Sequence, residues 1–207
     1  PRLATKIYQV YGNDAVGKVR ANPYSLVDDI RGIGFKTADS FANEMGIAAD
    51  HTMRVKAGIL YVLGEHRKDG HVCLPKDVLT RSAAATLSVR EDVIEDQLTL
   101  LLEAGRVIIE TVPADEGPFD MVFPRDLHRA EISVAERLIR LLDVQVPVFP
   151  AEQLQLIVQH AESELGLSLA DGQRDAVRAA LESQVTVITG APGPGTTTIV
   201  RAIVTAL

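Results

Sequence analysis

Apolar residues recur along most of this chain at the three- and four-residue spacing that gathers them on one face of a helix. Leu3, Ile7, Val10 and Tyr11 make such a stripe, which predicts a helix ending at Gly12. A second short helix, about 14–20, stops before Asn22-Pro23. A third starts near Leu26, breaks at Gly32-Ile33-Gly34, and resumes with Phe35, Ala38, Phe41 and Ala42 on its inner face. From 51 to 124 the pattern changes. Helices are expected over about 52–68, 76–85 and 90–104, with the extended stretch Gly70-His71-Val72-Cys73-Leu74-Pro75 between the first two and strands near 106–112 and 119–123. Helix, short strand, two helices and a β-hairpin in that order predict a winged-helix-like unit. Amphipathic helices over about 127–143 and 151–165 follow, separated by a break from Pro147 to Pro150.

The pattern near the end of the chain carries candidate chemistry. Val185 to Thr189 is a β-branched run that predicts a buried strand, Gly190-Ala191-Pro192-Gly193-Pro194-Gly195 interrupts it, and Thr196-Thr197-Thr198 opens an apolar helix reaching Leu207. Strand, glycine-rich loop and helix are the setting of a phosphate-binding loop. Gly190, Gly193 and Gly195 let the backbone curl so that successive N–H groups and a helix N-terminus converge on an anion. Thr197 falls where G-x-x-x-x-G-K-[ST] places its magnesium-binding hydroxyl. Thr196 stands where that pattern has lysine, so the cradle is encoded without the point charge that reaches the outer phosphates. A glycine-rich turn without a ligand is the other reading of these residues.

Composition narrows the classes. The chain has 207 residues, 46% of them hydrophobic, which is enough for one or two domains with substantial cores. No apolar run has bilayer length and the N-terminus lacks a signal-peptide layout, so a soluble, cytoplasmic protein with no membrane partner is expected. The single cysteine, Cys73, has no cysteine with which to pair. The net charge of −7 is unevenly spread: residues 1–70 carry ten Lys or Arg against eight Asp or Glu, and residues 71–207 carry eleven against twenty. Contacts with a phosphate backbone are therefore expected mostly in the first third.

In that third, the Gly32-Ile33-Gly34 turn places free N–H groups at the start of the following helix, flanked by Arg31 and Lys36. Arg31, Gly32, Ile33, Gly34 and Lys36 are the candidate DNA-binding residues. An ordinary helical hairpin packed through Ile33 fits the same pattern. The second helix of the winged-helix-like unit instead carries Glu91, Asp92, Glu95 and Asp96, which would repel phosphates, and this favours a scaffold over a DNA reader.

The hairpin resembles the helix-hairpin-helix module of DNA-repair and recombination proteins, and residues 3–26 look like the trailing half of a preceding module. Leu169-Ala-Asp-Gly-Gln173-Arg-Asp-Ala-Val177 resembles the lead-in of superfamily 1 helicases, with Ala170 in place of the usual Ser or Thr. That resemblance gives Gln173 an adenine-binding role. Together with Asn22-Pro23-Tyr24, Ile30 to Asp39, Gly70 to Pro75, Phe123 to Glu131 and Gly190 to Thr197, the chain resembles the RecD-like, exodeoxyribonuclease V alpha-like ATP-dependent DNA helicases. The expected fold is mainly α: tandem helix-hairpin-helix motifs over 1–50 with the first cut short, a winged-helix-like α+β unit over 51–125, a connecting helix over 126–150, and the start of an α/β P-loop motor over 151–207.

The resemblance implies a piece of a 5′ to 3′ DNA helicase of repair or recombination. Its partner is DNA that is single-stranded or has single-stranded ends, and its cofactors are ATP and Mg²⁺. Gln173, Gly190, Gly193, Gly195, Thr196 and Thr197 would contact nucleotide, with Thr197 on the metal. No complete catalytic set is present, so this piece is expected to be inactive alone. A non-motor DNA-binding or assembly module, with a structural glycine loop, is the alternative. Protein partners and oligomeric state are not legible.

Overall fold

The computed structural model describes residues 2–115, 117–145, 148–190 and 195–207. It divides into two compact units, Pro1–Ala130 and Glu131–Leu207. The expected segments 1–50 and 51–125 both lie in the first unit, and the division between units falls within the expected connecting helix rather than at the proline break.

The first unit opens with α1 (Arg2–Tyr11), a 3₁₀ turn (Gly12–Asp14), α2 (Ala15–Ala21), α3 (Ser25–Asp29) and α4 (Phe35–Glu44). Leu3, Ile7 and Tyr11 of α1 pack on Leu26, Ile30 and Ile33. Val10 is exposed, in contrast to the expected stripe, because α1 is buried only along the i, i+4 line through 3, 7 and 11. Asn22 starts α3: its side chain accepts from Tyr24 N at 3.0 Å and its carbonyl from Ser25 Oγ at 2.8 Å.

Beyond α4 come α5 (Thr52–Lys68), β1 (Leu74–Pro75), α6 (Lys76–Leu87), α7 (Glu91–Glu103), β2 (Val107–Val112), β3 (Phe119–Pro124) and α8 (Arg125–Leu142). The strands pair antiparallel in the order β1-β3-β2. Leu74 and Val122 face each other across β1 and β3, and both are buried. The apolar faces of α5, α6 and α7 pack with these strands into one core containing Ile59, Leu79, Leu98 and Val107. Gly58 permits the crossing of α5 and α6, since a Cβ there would overlap the end of the Leu87 side chain.

That core does not stop at residue 51. Tyr24, Phe35, Ala38 and Ala42 belong to it, and Phe35 stacks on Tyr61 at 4.9 Å between ring centres. Phe41, on the other side of α4, packs instead with the core of α1 and α3. A nearly buried polar knot reinforces the junction. Asp39 of α4 accepts from Tyr24 Oη at 2.6 Å, and from Arg54 Nε at 2.9 Å and Nη2 at 3.2 Å. The third arm of the guanidinium donates to the carbonyls of Ala49 at 2.7 Å and Leu87 at 3.0 Å, tying α4, α5 and the end of α6 together.

In the second unit, α9 (Ala151–Leu165), α10 (Asp171–Glu182) and α11 (Gly195–Ala206) enclose Leu154, Val158, Leu169, Val177, Leu181, Ile199 and Ala202. The strand expected over 185–189 is not formed. Those residues pair with no other strand among the described residues, and Val187 is 83% exposed. A parallel strand satisfies its N–H and C=O groups only through neighbours in a sheet. The described residues of this unit supply helices alone, so an α/β arrangement is absent from them.

Burial first, and then the bond to Asp39, raises the Tyr24 hydroxyl above its ordinary pKa near 10. A raised folded-state pKa means stability that is complete below the unfolded value and declines as pH rises beyond it. Denaturant titrations stepped upward from pH 10 should therefore show progressive loss of stability. Tyr24→Phe should cost about 1 kcal/mol at neutral pH and make that alkaline decline shallower. An unchanged alkaline slope would show that the knot is not formed.

Candidate nucleic-acid interface and phosphate loop

At the hairpin, α3 ends in extended backbone at Ile30, Gly32 takes φ +93°, and Gly34 is extended again before α4. The positive φ at Gly32 is a conformation that a side chain disfavours, so this glycine makes the turn possible. Ile33 N bonds to Ile30 O at 3.1 Å, which tightens the loop. No side chain caps α4, so its first N–H groups remain available to a ligand. Arg31, Gly32, Gly34 and Lys36 are exposed. The Ile33 side chain is 4% exposed and packs inward, so it anchors the loop and is withdrawn from any ligand.

The structure adds a residue that the pattern did not indicate. A Cβ on Gly32 would lie 3.5 Å from Lys6 Nζ, so α1 brings a third ammonium or guanidinium group to the turn. Its sequence position gives no hint, because only the contact of α1 with the hairpin places it there. Lys6, Arg31 and Lys36 make no ion pair among the described residues. The nearby acids Asp29 and Asp39 are occupied: Asp29 accepts from Tyr11 Oη at 2.6 Å, and Asp39 holds Tyr24 and Arg54. On α7, Glu91, Asp92, Glu95 and Asp96 are all exposed, and among them Asp92 pairs with Arg90 at 2.9 Å.

Short helices joined by a glycine turn, with an uncapped second helix and cations around its start, define the helix-hairpin-helix class. Residues 1–73 match the family model for the ATP-dependent RecD2 DNA helicase HHH domain. Over this first third or so of its length the chain is similar to a RecD2-type helix-hairpin-helix region.

The second candidate site is built on the turn between α9 and α10. Gly166, at φ +61°, ends α9, and Leu167 N returns to Glu162 O at 3.1 Å. The Glu162 carboxylate accepts from Leu169 N at 2.6 Å and from Arg174 Nε at 3.0 Å, while Arg174 also reaches Ser168 Oγ at 3.3 Å. This clasp fixes the start of α10 and with it Gln173. The Gln173 Oε1 atom accepts from Ala170 N at 3.0 Å. Its Nε2 lies 3.4 Å from where a Cβ on Gly195 would be. Gln173 and Gly195 are thus adjacent although 22 positions apart in the sequence.

Thr196 and Thr197 are exposed in the first turn of α11, a 12-residue helix, and Gly190 is also exposed. Gly193 lies outside the described residues. Gln173 and the first turn of α11 lie side by side at Gly195. The lysine-less loop and the unpaired 185–189 stretch do not supply the rest of a phosphate site. Among the described residues no group of three His, Cys, Asp or Glu could hold a metal ion, and no helix is long and apolar enough to cross a membrane.

The backbone bond from Leu169 is the main influence lowering the Glu162 pKa, with Arg174 acting in the same direction. The stabilisation is therefore present above the ordinary value of 4.5 and is lost as pH falls through the lower folded value. Acid titration should destabilise the α9–α11 unit below pH 4.5, and Glu162→Gln should shrink that acid dependence. Equal acid dependence in both proteins would rule out the clasp as its source.

Proposed function

We propose that this chain contributes the DNA-holding region of a RecD2-type ATP-dependent helicase of DNA repair or recombination, together with the opening of its nucleotide site. The observation that carries the reading is the hairpin of a RecD2-type region with Lys6, Arg31 and Lys36 around it, none of them in an ion pair among the described residues. Backbone N–H groups at Gly34 and the start of α4 would take a phosphate oxygen, and the three cations would neutralise its neighbours. Such contacts ignore base sequence.

In the second unit, Gly190, Gly195 and the first turn of α11 would hold the phosphates of ATP, Thr197 would face its Mg²⁺, and Gln173 would meet the base. ATP supplies the free energy for 5′ to 3′ movement along single-stranded DNA in the complete cytoplasmic enzyme. In this chain Thr196 leaves the outer phosphates without their usual cation. The exposed Val187 strengthens the motor reading, because an apolar strand-forming side chain open to solvent fits a sheet completed by further strands. The missing lysine favours the second reading, a DNA-binding or assembly module whose glycine loop is structural.

Binding of fluorescent oligonucleotides over a range of salt tests the hairpin. Replacing Arg31, Lys36 and Lys6 with Ala should weaken all sequences alike and lower the slope of log K against log salt by about 0.7 to 0.9 per lost contact. Undiminished binding would remove the hairpin as the contact. For the phosphate loop, Thr196→Lys should tighten binding of ATP with Mg²⁺ by roughly ten- to a hundredfold, and in the complete helicase it should raise DNA-stimulated turnover further. No change in either measurement would favour the structural loop.

A further inference from the structure

A groove of about 970 Å³ beside the hairpin in the first unit is lined in part by α5. Gly34, Arg106, Arg125 and Arg129 belong to its lining. From α5, Lys56 and the half-buried Leu60 join them. Most acids along the groove are paired with cations: Asp126 with Arg67 at 3.1 Å, Glu65 with Lys68 at 2.6 Å and Asp28 with Arg106 at 3.1 Å. Lys56 and Arg129 make no ion pair or hydrogen bond among the described residues, and Arg125 reaches only the Gly105 carbonyl at 3.4 Å. Positive charge thus remains along a groove whose lining includes Gly34 of the hairpin turn.

We infer that this groove is a second nucleic-acid subsite, which takes the single strand leaving the hairpin and leads its phosphates past Lys56 to Arg125 and Arg129. The inference rests on the hairpin contact proposed above and extends it. Its occupant follows from two features. The free cations call for a polyanion, and the groove includes Gly34, so a strand whose phosphate sits on the hairpin amides is already at its lining. The partly apolar lining favours unpaired bases, which a duplex would keep stacked away from it. Arg106 is held by both Asp28 oxygens at 3.1 Å, and the pair is exposed. A phosphate arriving in the groove competes with Asp28 for this guanidinium.

Fluorescence anisotropy with two single-stranded oligodeoxynucleotides tests the subsite, one just spanning the hairpin and one several nucleotides longer. The intact chain should bind the longer strand more tightly. The combined Lys56→Gln, Arg125→Gln and Arg129→Gln variant should lose that gain, on the order of tenfold, and lower the salt slope by about 2 while still binding the short strand. Asp28→Asn should strengthen binding of the long strand by releasing Arg106, whereas Asp96→Asn on α7 should have a smaller effect. Loss of short-strand binding on replacing Arg31 and Lys36, with the length-dependent gain untouched by the groove substitutions, would overturn the subsite and leave the hairpin reading intact. An equal gain on lengthening a duplex, or no gain from Asp28→Asn beyond that of Asp96→Asn, would also overturn it.

Discussion

The bidentate pairing of Arg54 with Asp39 is the constraint on which the first unit depends. A guanidinium with only 11% of its side chain exposed is costly to desolvate and is tolerated only when its donors are satisfied. Here they are satisfied by Asp39, Ala49 and Leu87, groups from the hairpin, the following loop and the end of α6. The geometry needed by one side chain therefore fixes the relation of three segments. Tyr24 completes the arrangement, because its ring packs with Phe35 while its hydroxyl reaches Asp39. The Gly32 to Gly34 turn, although it lies in a loop, stands on this base.

The same pairing has an electrostatic consequence. Asp39 is three residues from Lys36, and Asp29 is two from Arg31; free carboxylates there would offset the positive charge within a Debye length. Asp39 is instead compensated by Arg54, whereas Asp29 keeps its charge and is held on the Tyr11 hydroxyl. The Arg54 pair in this way removes one of the two nearby carboxylates from the balance at the turn, and the acidic face of α7 lies on a different helix.

Much of this organisation was legible because local patterns coincide with local structure. The helix over 52–68 agrees with its expected ends because His51 caps it through a bond from Met53 N at 3.2 Å and Asp69-Gly70 stops it. The turn at Gly32 to Gly34 was legible for the same reason. What could not be read depends on contacts between distant segments. Lys6 reaches the turn only through helix packing, and Glu162 meets Arg174 across a helix boundary. Residues 1–50 and 51–125 read as separate domains because the pattern changes between them, yet Phe35, Ala38 and Ala42 are buried among residues of the later segment. The β-branched run at 185–189 has strand propensity, but propensity does not provide hydrogen-bonding neighbours.

The hydrogen bond from Ala170 N to Gln173 Oε1 holds the glutamine at the start of its own helix although residue 170 has no hydroxyl. One lone pair of that oxygen and both amide hydrogens remain for other partners. The side chain is thus fixed at its root while it still presents a donor and an acceptor together beside Gly195.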